Sequence, residues 1–196
     1  MNLKTIYILL LSILISCSGT DKELKAYGYV RHDFEKYNGF TGVSLNIDSF
    51  ENYGALVEDI YARSCDNLSP YIEIENDSYM GGVFPLLMCD PPPWRSLERN
   101  TFYISKLGIY KNNVLIEPDD LEALVIKNYL NNGESPNFAE NASKVMFIFE
   151  FPKETELNVI VDKLIQITNI YDKTKNTGGL GIILGLQREF ITPLPQ

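Results

Sequence analysis

The chain has 196 residues, 17 Lys and Arg against 26 Asp and Glu, a formal charge of −9, 45% apolar residues and 22% charged ones. These are ordinary globular values, at a length that suits one domain or one domain with an added lobe and that buries a core without disulfide staples. The acidic balance argues against a nucleic-acid partner, which needs clustered Lys and Arg, and the single His argues against His-rich metal sites and most His-dependent catalysis.

Met1 to Lys4 is a short leader with one positive charge, and Ile6 to Ile15 is apolar apart from Ser12. Ten residues rise only about 15 Å as a helix, half of a bilayer core, so residues 1–16 read as a signal peptide and not as a permanent span. The run that follows, Leu14-Ile15-Ser16-Cys17, resembles the lipobox of bacterial lipoproteins. That resemblance implies diacylglyceryl transfer to the Cys17 thiol, cleavage before it and acylation of the new amino end. Two or three acyl chains, at about 0.8 kcal/mol per buried CH₂, anchor a protein durably to a membrane. A plain secretory signal with an incidental Cys is the alternative. Cys65 and Cys89 are then the remaining cysteines. In an oxidising exported space they are expected to form a disulfide, which would close a loop of about 25 residues and add about 3 kcal/mol, unless they are two separate buried thiols.

Residues 17–41 read as a tether and irregular entry segment in which Tyr27, Tyr29, Phe34 and Phe40 suggest packing on the body. The only His, His32, sits in a run of charges that reads as solvated surface. A first α+β lobe is expected over 42–95. Val43–Ile47 alternates as a strand, and Asp48 or Ser49 caps a helix to about Ser64 with Phe50, Tyr53, Val57, Ile60 and Tyr61 on its apolar face. Tyr71–Glu75 is a second strand and Val83–Met88 a buried third. Pro91-Pro92-Pro93 then forms a rigid connector, because proline cannot donate to a ladder.

Residues 96–196 are more regular. Thr101–Ser105 is a strand, and Gly108–Tyr110 and Val114–Ile116 flank a hairpin turn at Lys111-Asn112-Asn113. Pro118 opens a helix whose Asp119, Asp120 and Glu122 suit its positive end and whose stripe is Leu121, Leu124, Val125 and Leu130. Asn131-Asn132-Gly133 stops it. Lys144–Phe151 is a central strand, and Thr155 caps a third helix bearing Leu157, Ile160, Val161, Leu164, Thr168 and Tyr171 on one face. Leu180–Leu184 is a strand and Glu189–Ile191 a last edge strand. The expected class is α+β, a two-layer arrangement of a mixed sheet packed by about three helices.

The stretch GIYKNNVLIEPDDLEALVIKNYL, with KVMFIFEFPKETELNVIVDKLIQITNIYD and LGIIL after it, resembles the periplasmic domain of the ExbD/TolR biopolymer-transport family over about residues 101–186. The resemblance implies a periplasmic role: dimerising, or touching peptidoglycan or an envelope protein. That family carries a transmembrane helix with a functional Asp, whereas residues 1–20 here hold no Asp or Glu, so proton coupling does not carry over.

No G-x-S-x-G elbow, S-x-x-K pair, C-x-x-C or H-E-x-x-H occurs. Glu73, Glu75, Asn76 and Asp77 offer oxygens for a Ca²⁺ ion but read better as a solvated strand face. Trp94, with Arg95 and Arg99 nearby, is the one local patch of binding-anchor type, unless Trp94 packs beneath the second lobe. These features predict a non-enzymatic, lipid-anchored envelope protein, without cofactor or metal, that binds an envelope partner or peptidoglycan and forms a homodimer through an edge strand if it is an assembly subunit. The alternative is an envelope carbohydrate-binding protein or carboxylate-dependent hydrolase.

Overall fold

A computed structural model describes residues 22–28, 42–66, 68–75, 78–86, 98–175 and 179–187. The fold is α+β, with three α-helices and two mixed sheets among those residues. The first sheet has the order β1-β4-β3-β2, from Glu23–Gly28 (β1), Val43–Leu45 (β2), Pro70–Glu75 (β3) and Tyr79–Phe84 (β4). β3 and β4 are antiparallel, while β1 on β4 and β2 on β3 are parallel. The second sheet has the order β7-β6-β5-β8-β9, from Thr101–Ser105 (β5), Gly108–Lys111 (β6), Val114–Ile116 (β7), Met146–Phe151 (β8) and Gly181–Leu186 (β9). β5, β8 and β9 are parallel, and the β6–β7 hairpin continues the sheet antiparallel. The helices are Tyr53–Cys65 (α1), Pro118–Leu130 (α2) and Leu157–Thr174 (α3).

One continuous set of buried apolar side chains spans both sheets. α3 is its axle. Ile160, Leu164, Ile167 and Ile170 are buried along it, α2 packs against it, and it also reaches β3. Polar contacts join α3 to the first sheet. Lys25 Nζ lies 2.7 Å from Asp172 Oδ2, the Tyr27 hydroxyl donates to the same oxygen at 3.0 Å, and the Tyr79 hydroxyl is 2.8 Å from Thr168 Oγ1. On the other side α1 packs against β9 and β3, and the buried Tyr53 hydroxyl donates to the Phe149 carbonyl at 3.1 Å.

Several expectations are corrected. The entry segment contains a regular strand, β1. It is an edge strand with Glu23, Leu24 and Ala26 exposed and Lys25 half-buried, a pattern that hides its alternation. α1 begins at Tyr53 and is capped by Asn52, whose Oδ1 accepts from Ala55 N at 3.1 Å; Asp48 and Ser49 lie in a short 3₁₀ turn, Ile47–Ser49. The start is set from outside the helix, because Tyr53 N and Gly54 N donate to the carbonyls of Thr155 and Lys153. The same contact explains Thr155, whose carbonyl serves α1 while Glu156 occupies the cap position of α3. On α1 the buried face runs through Leu56, and Tyr61 is exposed. On α2, Asn128 and Tyr129 are buried where Leu130 was expected, and Leu130 points to solvent. β4 begins at Tyr79 and holds Gly81. A Cβ there would lie 2.9 Å from the Tyr27 ring, so the glycine makes room for that ring against the sheet. The expected last edge strand, Glu189–Ile191, lies outside the described residues.

Candidate binding groove

The β6–β7 hairpin turns on Asn112 and Asn113, both at positive φ (50° and 63°). Such a two-residue turn matches the twist of the flanking strands, and Asn tolerates the left-handed region better than most residues. Pro118 then starts α2 directly after β7 and sends it back alongside the hairpin. The segment after α2 is pinned by two buried asparagines. Asn128 Oδ1 accepts from Ala139 N at 2.7 Å. Asn131 donates to the carbonyls of Ser135 and Ala139 at 3.0 and 2.8 Å and accepts from Ser135 N at 2.9 Å. This clamp holds Phe138 over the end of the hairpin.

Between these parts lies a groove of about 480 Å³, inside the range usual for small-ligand sites. Its walls are mostly apolar: Val114, Leu115 and Ile116 from β7, Ala123 and Leu124 from α2, and Phe138 from the clamp. Lys111 and Lys127 stand at one end. Glu117 and Asp120 line the groove where β7 passes into α2.

Lys111 is the unusual group. It is the last residue of β6 and the alternation of that strand turns it inward, leaving it 4% exposed. Its Nζ donates to the Arg99 carbonyl at 2.5 Å and lies 4.7 Å from the centre of the Phe102 ring and 5.7 Å from that of Phe138. Lys127 Nζ is 5.0 Å from the same Phe138 ring. Two ammonium groups therefore share one aromatic ring, an attraction of roughly 0.5–2 kcal/mol per contact depending on desolvation. None of the ion pairs among the described residues includes Lys111, Lys127, Glu117 or Asp120. Burial without a counter-charge pushes the Lys111 amine down to about 8.

Of the residues expected to form a site, Arg99 is described. It pairs with Glu140, which Lys144 also holds, and the Lys144 contact is the main cause of a Glu140 carboxyl below the usual range, with Arg99 adding to it. Arg99 thus reaches the groove through its carbonyl, as the acceptor for Lys111. Trp94, Arg95, Cys17, Cys89 and His32 lie outside the described residues. Cys65, the last residue of α1, is disulfide-bonded, and its partner is outside the described residues. Glu73 accepts from Ser44 Oγ at 2.8 Å and Glu75 pairs with Lys22 at 2.7 Å. No group of three acidic, His or Cys side chains among the described residues is arranged to hold a metal. No helix among them is long and apolar enough to cross a membrane.

By local turn chemistry Lys111 belongs to the hairpin turn, and nothing local singles out Lys127 or Phe138. A signal for Lys111 was present: Ile109, Tyr110 and Lys111 continue the alternation of β6, which puts Lys111 on the inner face with Ile109. Comparison of the chain with protein-family models, with curated proteins and with solved structures gives no match.

Proposed function

We propose that the protein is a non-catalytic, lipid-anchored component of a bacterial cell envelope that binds an envelope partner or peptidoglycan, with a role similar to that of ExbD/TolR periplasmic domains. The observation that carries the reading is Leu14-Ile15-Ser16-Cys17 directly after a ten-residue apolar stretch. The groove between β7 and α2 supports it as the binding face, being apolar along its walls and charged at both ends. Among the described residues its lining offers no Ser or Cys nucleophile beside a base, which suits recognition better than acyl transfer. In this reading Cys17 carries the lipid and Cys65 pairs with Cys89.

Metabolic labelling with a tagged fatty acid tests the anchor. The wild-type chain is expected to incorporate label and fractionate with membranes, and Cys17→Ala to do neither. Label on both proteins, or on neither, removes the anchor. Affinity capture from gently solubilised membranes, with wild type beside Lys127→Ala and Leu115→Asp, tests the binding face. Equal recovery of the same partner by all three removes the groove from the proposal.

A further inference from the structure

We infer that the groove binds a short peptide with free ends, about three residues long, laid antiparallel along β7 with its terminal carboxylate between Lys111 and Lys127 and its terminal amine toward Glu117 and Asp120. The inference deepens the reading of the groove as the binding face and rests on it.

Three independent features define the occupant. The first is charge. The two ammonium groups of Lys111 and Lys127 flank Phe138 with no carboxylate among the described residues at ion-pair distance, and one of them is almost fully buried. An ammonium has three N–H donors, and Lys111 uses one, on the Arg99 carbonyl. A carboxylate would supply both the missing acceptors and the missing counter-charge. The other end of the groove has the opposite sign, with the carboxylates of Glu117 and Asp120 both exposed and unpaired among the described residues.

The second feature is length. Asp120 and Lys127 are separated by two turns of α2, about 10 Å along its axis. An extended tripeptide spans about 10 Å as well. Its two charged ends therefore match the two ends of the groove.

The third feature is the backbone of Leu115. β7 is the outermost strand of its sheet. Lys111 and Val114 close the two-residue turn and exchange hydrogen bonds, so the next pair, Tyr110 and Leu115, does not. The Leu115 N–H and C=O point away from β6, toward the open edge of the sheet, and no other backbone bond among the described residues uses them. One extended residue of a ligand satisfies both. β7 runs from the lysine end to the acidic end, so a peptide with its carboxylate on the lysines runs antiparallel, the arrangement in which one residue pairs reciprocally with Leu115. The Val114 and Leu124 side chains face what flanks it.

Isothermal titration of the full-length, detergent-solubilised chain with Ala-Leu-Ala tests this. The free tripeptide is expected to bind saturably. Its C-terminal amide should bind at least about tenfold more weakly, the factor that 1.4 kcal/mol represents. The N-acetyl form and the form methylated at the central amide nitrogen should each lose several-fold. Lys127→Ala, at an exposed position and expected to leave the circular dichroism intact, should lose about as much as amidation does. Lys111→Met should lose more, and Asp120→Asn should weaken the free peptide while leaving the N-acetyl form unchanged. No saturable binding at millimolar peptide overturns the inference, as does equal binding of free acid and amide. Equal binding of the N-acetyl and free forms also overturns it and reassigns the site to the carboxyl end of a protein chain. If the peptide fails while capture of a partner still depends on Lys127 and Leu115, the binding face stands and only this occupant is wrong.

Discussion

Replacing Lys111 by Met tests the central electrostatic feature of the groove without reference to any ligand. The native amine titrates at about 8 against an ordinary value of 10.5, because burial disfavours its charged form. Between those values the unfolded chain holds a proton that the native chain has released. Stability therefore rises with pH through that window and is lowest below it. At about 1.36 kcal/mol per pH unit the full difference is about 3 kcal/mol, of which about 2 kcal/mol develops between pH 7 and pH 9.5. The Arg99 carbonyl and the Phe102 ring both favour the ammonium, which trims the expected gain in this window to about 1–2 kcal/mol. Tyrosines act with the opposite sign. Burial raises Tyr27 and Tyr129 above the ordinary value of 10.0, so their contribution is lost as pH climbs beyond 10, and pH 7 to 9.5 isolates the lysine. Urea unfolding followed by far-ultraviolet circular dichroism at pH 7, 8.5 and 9.5 should show the wild-type midpoint rising. Lys111→Met, similar in length and without charge, should be at least as stable at pH 7 and should show a flat profile. Parallel pH profiles for the two proteins would refute the claim that Lys111 is buried without a counter-charge.

Other expectations follow from the same contacts. Asn131→Ala removes three hydrogen bonds to the segment that carries Phe138 and leaves buried groups unpaired; a loss of about 2–3 kcal/mol in denaturant unfolding is expected, with weaker peptide binding. Tyr53→Phe keeps the ring against Phe151 but removes the bond to the Phe149 carbonyl. A cost of about 1–2 kcal/mol should appear in thermal or chemical unfolding. Asn52→Ala removes the cap of α1 and should cost about 1 kcal/mol, whereas Ser49→Ala, outside the helix, should change α1 little.

Legibility in the sequence followed the range of the forces at work. The β6–β7 hairpin, the Pro118 start of α2 and the apolar β8 were readable because each is specified by neighbours within a few residues: two asparagines in a turn, a proline at a helix start, a run of Met, Phe and Ile. The start of α1 is not legible locally because carbonyls about a hundred residues away, on Lys153 and Thr155, receive its first N–H groups. β1 is not legible locally because its partner β4 is distant in sequence and three of its first four residues, Glu23, Leu24 and Ala26, are exposed without a period-two pattern. β4 extends back to Tyr79 through Gly81, which the Tyr27 ring, distant in sequence, requires. At the groove the same division holds. The alternation of β6 was enough to turn Lys111 inward, but nothing local brings Lys127 and Phe138 to it. That meeting depends on α2 folding back and on the Asn128 and Asn131 clamp.

The arrangement of the two sheets gives the proposed anchor and the groove separate mechanical roles. Cys17 and Glu23, the start of β1, are six positions apart in the chain, a reach of at most about 21 Å. The chain therefore enters the fold through β1, which is tied to α3 by Lys25 and Tyr27 on Asp172 and to the strand side of β9 by the Gly28 carbonyl accepting from Leu180 N. β7 is four strand positions from β9, about 19 Å across the sheet. A pull on the anchor is thus borne by α3 and the core, while the groove sits at the far edge. Asp172→Asn tests this division. It keeps the side-chain shape and removes the charge facing Lys25, whose amine the Asp172 hydrogen bond raises above its ordinary value. The pair is less than a third exposed on each side, and its loss should weaken the hold on β1 by about 1 kcal/mol. Native-state hydrogen exchange should show faster exchange at β1, with protection of β6, β7 and α2 unchanged and Ala-Leu-Ala binding as in the wild type. Unchanged exchange at β1 would show that the polar contacts on α3 do not hold the strand. A matching loss at the groove would show that the two sheets respond as one unit, and that a partner bound at β7 feels tension applied at the membrane.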